Sequence, residues 1–109
     1  MKIDFQGIEE TAIPGFLGGE GVTRARMRVD ELGKLMRGRL EPGASIGYHT
    51  HETSSEIIYI LAGHGKVKYD EGEEVLEAGD CHYCPKGHSH SLINDSGADL
   101  EFFAVVPNQ

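Results

Sequence analysis

From residue 23 onward, apolar and polar side chains alternate with a period of two, in short runs separated by glycine, proline and asparagine. Such a period belongs to strands that bury one face. Residues 23–29 set smaller or apolar side chains against Arg24, Arg26 and Arg28, and residues 34–41 form a second run that closes on Pro42-Gly43. Further runs cover residues 56–61, 63–70, 74–77, 80–85, 89–93 and 99–106, with turns at Asp70-Glu71-Gly72-Glu73, Ala78-Gly79-Asp80 and Asn94-Asp95-Ser96-Gly97. No stretch has helical spacing. Many short strands with glycine, proline and asparagine turns predict an antiparallel sandwich or barrel. Residues 1–21 are weakly patterned and are expected to form an N-terminal arm or loop ahead of the remainder of a single domain over 1–109.

On this strand pattern the chemistry-bearing residues fall into register. His49 and His51 stand two apart after the Glu41-Pro42-Gly43 turn, so both imidazoles point to one side of a strand. Glu56 heads the β-branched and aromatic run Glu56-Ile57-Ile58-Tyr59-Ile60-Leu61, and His90 follows a Pro-Lys-Gly turn. Their spacing predicts that His49, His51, Glu56 and His90 converge on one metal ion. If Glu56 faces inward, so do Ile58 and Ile60, while Ile57 and Tyr59 face outward.

Written with its punctuation, the first stretch is Gly43-x5-His49-x-His51-x4-Glu56-x6-Gly63 and the second is Gly79-x5-Pro85-x-Gly87-x2-His90-x3-Asn94. Together they resemble the two signature motifs of the cupin superfamily, and the fifteen residues between Gly63 and Gly79 resemble the spacer of its small microbial single-domain members. The resemblance implies an all-β double-stranded β-helix, or jelly-roll barrel, whose interior accommodates side chains or one small ligand. It assigns the fourth metal ligand to His90 and leaves His88 at the pocket rim or behind the ligands as a supporting partner. Asn94 is expected to stabilise a turn, and His64 and His82 to be structural.

Three imidazoles and a carboxylate suit one divalent transition metal ion (Mn, Fe, Co, Ni, Cu or Zn), without the thiolates of a closed structural zinc site. An octahedral ion held by four side chains keeps two positions open, and the divalent ion, one carboxylate and three neutral imidazoles sum to about +1. A small anionic or chelating ligand is therefore favoured at the site. The expected function is a metal-dependent enzyme of dioxygenase, decarboxylase or isomerase type acting on a small oxygen-rich or carboxylate-bearing molecule. The alternative is a sugar- or metabolite-binding module without turnover. Arg37 and Arg39 share one strand face, either in the pocket or toward solvent, and are candidates to clamp a carboxylate; His88 or a tyrosine is a candidate base.

The remaining composition narrows the partners. A net charge of −8 argues against nucleic acid and against anionic membrane surfaces. No run is apolar enough to cross a bilayer and Met1–Gln6 lacks the apolar block of a signal peptide, so a cytoplasmic protein is expected. Cys81 and Cys84 lie three apart on a predicted strand, on opposite faces, and are expected to be reduced, small, buried side chains rather than a redox pair. The glycines at 15, 18, 19 and 21 lack the Gly-Lys-Ser/Thr ending of a phosphate loop. The arginines at 24, 26 and 28 are expected to be solvated or paired with acids, the alternative being a subunit contact. Outward Ile57 and Tyr59, together with the resemblance, imply a homodimer; the alternative is a monomer whose arm covers that face.

Overall fold

A computed structural model describes all 109 residues as ten strands and two short 3-10 turns, Phe5–Gly7 and Phe16–Gly18. The strands are β1 (Thr11–Pro14), β2 (Val22–Asp30), β3 (Gly33–Leu40), β4 (His49–Thr50), β5 (Glu56–Ala62), β6 (His64–Tyr69), β7 (Gly72–Glu77), β8 (Cys81–Cys84), β9 (Ser89–Ile93) and β10 (Leu100–Pro107). They pair antiparallel into two sheets. One has the order β1-β2-β3-β10-β5-β8 and the other β4-β9-β6-β7, and together they form the expected jelly roll.

Alternation decides what fills the space between the sheets. Met36 and Leu40 of β3, Ile58 and Ile60 of β5 and Phe102 and Ala104 of β10 face inward from the larger sheet, and Val67, Leu76 and Leu92 meet them from the smaller one. Burying each of the large side chains contributes about 1.5–3 kcal/mol. On β5 the parity is as the sequence predicts: Glu56, Ile58 and Ile60 are buried, and Ile57, Tyr59 and Leu61 are exposed. Between β7 and β8 the chain turns at Gly79, whose φ of 95° suits glycine and strains other residues.

Within the first twenty residues, Thr11–Pro14 forms a strand that the polarity pattern does not reveal, because it is short, sits on the sheet edge and buries almost nothing. The following segment is laid against the chain that leads into the first histidine. Phe16 O accepts a hydrogen bond from Gly47 N and Glu20 O one from Ser45 N, both at 2.9 Å. The backbones at Gly19 and Gly47 approach so closely that a Cβ on either would overlap backbone atoms of the facing segment. Asn94 is fully buried and ties the motif end together: its amide donates to Leu40 O and Ala98 O at 2.9 and 2.8 Å, and its carbonyl accepts from Ser96 N. It stabilises a turn, as expected.

Candidate metal centre

Strand register gathers the four predicted ligands. His49 on β4 lies directly opposite His90 on β9, a pairing that sets the two side chains side by side on the inner face. His51 follows β4 by one residue and Glu56 opens β5, which faces inward from the opposite sheet. One potential ligand atom from each of the four falls within 4.8 Å of all the others. The Nε2 atoms of His49, His51 and His90 are 3.0–3.2 Å apart, and Glu56 Oε1 lies 2.8 Å from His90 Nε2, 3.1 Å from His51 Nε2 and 3.8 Å from His49 Nε2. Glu56, His51 and His90 are buried, and only His49 is partly open to solvent.

The outer ring nitrogens explain how the rings are held. His49 Nδ1 is 2.7 Å from Gly47 O, an oxygen that only accepts, so the neutral ring carries its proton on Nδ1 and leaves Nε2 bare. His51 Nδ1 is 2.7 Å from Ser54 Oγ, and His90 Nδ1 is 3.0 Å from His82 Nε2. Three imidazole nitrogens 3.0–3.2 Å from one another around a single carboxylate oxygen are close enough for one cation to take all four as ligands. This donor set of three nitrogens and one oxygen, already turned inward, fits a divalent transition metal ion.

The electrostatics agree. Burial alone would push the Glu56 carboxyl up, yet the three imidazoles around it hold it well below the usual carboxylate range, so it is ionised. His49 is pulled down by its burial but ends raised, because Glu56 and the Gly47 carbonyl favour its protonated form. Both shifts describe a pocket that attracts positive charge.

Other predicted residues lie elsewhere. Arg37 and Arg39 project from the outer face of β3, opposite to buried Met36 and Leu40, and do not reach the cluster. Arg39 bonds Glu10 at 3.0 Å and Asp99 at 2.8 Å, Arg37 lies 3.5 Å from Glu101, and Glu10, Arg37, Arg39 and Glu101 border an outer cleft of about 400 Å³ with Arg26 and Phe5. Arg24 pairs with Glu41 at 2.8 Å, as the abundance of acids led us to expect. His88 is half-exposed, stacked on Tyr69 and bonded to Asp70 Oδ2 at 2.7 Å. The two cysteines are free and on opposite faces, but Cys81 is exposed rather than buried. Cys84 faces inward, and burial followed by the nearby Glu56 charge pushes its thiol up to about 11.

His82, expected to be structural, lies next to the cluster. It is buried on β8 opposite Ile58, and its two ring nitrogens bridge His90 Nδ1 and Glu74 Oε1, at 3.0 and 3.2 Å. Burial first, then the neighbouring His90, pushes its ring down toward the neutral form. The available signal was parity with inward Cys84, two residues on; its partners come from the other sheet.

Comparison with known proteins places this geometry. The family described as cupin domain matches residues 36–106. An oxalate-binding protein of Thermotoga maritima is 48% identical over 71 residues, which span 64% of this chain and 58% of that protein's length. A crystal structure of a predicted oxalate decarboxylase from Thermotoga maritima superposes with a TM-score of 0.93 at 31% identity, covering 100% of both chains. A sugar phosphate isomerase of the cupin superfamily from Silicibacter pomeroyi shares the fold, with a TM-score of 0.76 at 24% identity over 100% of this chain and 76% of its own. A family match across most of the chain, on a jelly roll with both motifs intact, shows that this protein belongs to the cupin family.

Proposed function

We propose that His49, His51, Glu56 and His90 hold one divalent transition metal ion and that the centre binds oxalate or a closely similar small dicarboxylate. The observation that carries the reading is the inward convergence of three imidazole Nε2 atoms and one carboxylate oxygen, each outer ring nitrogen engaged elsewhere. A bound divalent ion would supply the positive charge and Lewis acidity that capture a dianion. The chain's own residues do the rest: Glu56 and the imidazoles leave a net charge of about +1 with the ion, and Ile58 and Ile60 continue the same inner face as apolar wall. Oxalate as ligand is supported by the relative named as an oxalate-binding protein.

The second reading is turnover, a metal-dependent lyase releasing carbon dioxide from the same ligand, and it is favoured by full-length likeness to the predicted oxalate decarboxylase. Calorimetric titration of metal-loaded protein with oxalate tests the binding step, and formate and carbon dioxide analysis tests turnover. Saturable oxalate binding that needs metal and is lost in His51→Ala supports the proposal. Equal binding by metal-free protein would overturn it. We further infer a homodimer, supported by outward Ile57, Tyr59 and Leu61 on β5 beside Tyr83 on β8; a monomer mass in light scattering would refute that.

A further inference from the structure

We propose that Lys34 supplies the ammonium group that binds the carboxylate oxygens of a dianion held at the centre. Strand register brings it there. Ala104 on β10 lies opposite Met36 on one side and Ile58 on the other, and all three are buried. Strands β3 and β5 both run antiparallel to β10, so Lys34 and Glu56, each two residues before those buried positions, share the inward parity and the same level. Two strand spacings, about 10 Å, separate their backbones. The flexible four-carbon stem of the lysine reaches into that gap. On β2 and β3 the five arginines share the outer face, and Lys34 has the inner parity.

Charge gives the reason for a lysine here. A divalent ion, ionised Glu56 and three neutral imidazoles sum to about +1. A bound dianion therefore leaves the centre at about −1, beside buried Ile58 and Ile60, where uncompensated charge is costly. One more fixed cation restores neutrality. Lys34 is free to provide it: Arg24, Arg37, Arg39 and Lys66 pair with carboxylates, whereas no carboxylate pairs with Lys34. Phe16 holds the ammonium in place, with Lys34 Nζ 5.6 Å from the ring centroid, within cation–π range. That ring packs on the core, and the Phe16 carbonyl accepts from Gly47 N, two residues before His49. The platform under the lysine is thus tied to the ligand that is partly open to solvent, and the Lys34 charge acts on the His49 ring. An ammonium has three donors and no acceptor, so this arrangement favours a ligand with a second anionic group over one with a single carboxylate.

The inference rests on the dicarboxylate reading, and its test keeps the two apart. Calorimetry of Mn-loaded wild type, Lys34→Met, Lys34→Gln and Lys34→Arg reads affinity for oxalate and for acetate, which has a single carboxylate. Titration of the metal-free proteins with Mn reads the centre itself. Lys34→Met is expected to bind oxalate about 10- to 100-fold more weakly, the range of a hydrogen bond to a charged group, with a much smaller loss for acetate. Lys34→Arg keeps the charge and is expected to recover most of the oxalate affinity. Removing a cation beside the centre is expected to leave Mn affinity unchanged or higher. Lys34→Gln carries the same expectations where Lys34→Met does not fold. Equal oxalate affinity in wild type and Lys34→Met overturns the role of the lysine and leaves the dicarboxylate reading standing. A fall in Mn affinity that accounts for the oxalate loss also overturns it, since Lys34 would then act on the shape of the centre. A wild type that binds no oxalate overturns the dicarboxylate reading and this inference with it.

Discussion

The inner and outer faces of the six-stranded sheet each gather a cluster of ionisable side chains, with opposite results. Outside, Arg39 lies between Glu10 and Asp99 and Arg37 beside Glu101, so each charge already has its complement. Inside, three imidazoles present like atoms to one another around a single carboxylate, in a space from which water is largely excluded. The outer cluster is already paired within itself; the inner one offers a donor set that could hold an ion. Proximity of polar residues in space thus says little until donors and acceptors are matched.

The comparison can be broken most decisively at Glu56. Glu56→Gln is expected to lower metal affinity by at least about 100-fold, beyond the range for outer partners, and to abolish the rise in melting temperature that added metal gives wild type. A metal-induced stabilisation that survives the substitution would remove Glu56 from the centre. The two faces of β8 supply the next contrast. With its thiol pushed up to about 11 and its side chain buried, Cys84 is expected to react with iodoacetamide at least about 10-fold more slowly than exposed Cys81 at neutral pH. Equal labelling, resolved by peptide mass spectrometry, would contradict the placement of Cys84.

Outside, the effects are smaller. Arg39→Ala is expected to cost up to about 1 kcal/mol in urea unfolding, less in high salt, with metal affinity unchanged. A loss of metal affinity would mean that the outer cluster communicates with the inner one. The smallest effect concerns pH. The hydrogen bond from Arg39, opposed by partial burial, holds the Glu10 carboxyl below its ordinary value. Its folded-state pKa is depressed, so its contribution to stability is present above the ordinary glutamate range and fades as pH falls through the folded-state value. The stability difference between wild type and Glu10→Gln should accordingly shrink on acidification; a difference that grows would reverse the sign.

Much of this was legible because it is local. The His49-x-His51 spacing, the parity of Glu56 with Ile58 and Ile60, and the run at Ser89–Ile93 depend only on strand alternation, which the sequence displays. His82 was not legible as a partner of His90, since the two belong to different sheets and meet only when these pack face to face. The facing of Arg37 and Arg39 was narrowed to one shared side but not to which side, because apolar Met36 and Leu40 mark one face while Leu35 shares the parity of the arginines and blurs the contrast. Strand β1 escaped for a further reason: an edge strand of four residues ending in proline has too few positions to show a period.

The close backbone contact between Gly19 and Gly47 bears on how this protein should be trimmed. The family-matched stretch 36–106 contains all four proposed ligands, and would be the obvious minimal fragment to express. Yet that cut discards Phe16 and Glu20, whose carbonyls anchor Gly47 and Ser45, while Gly47 in turn supplies the oxygen that orients His49. A shortened chain would keep every donor atom and lose the splint that aims one of them.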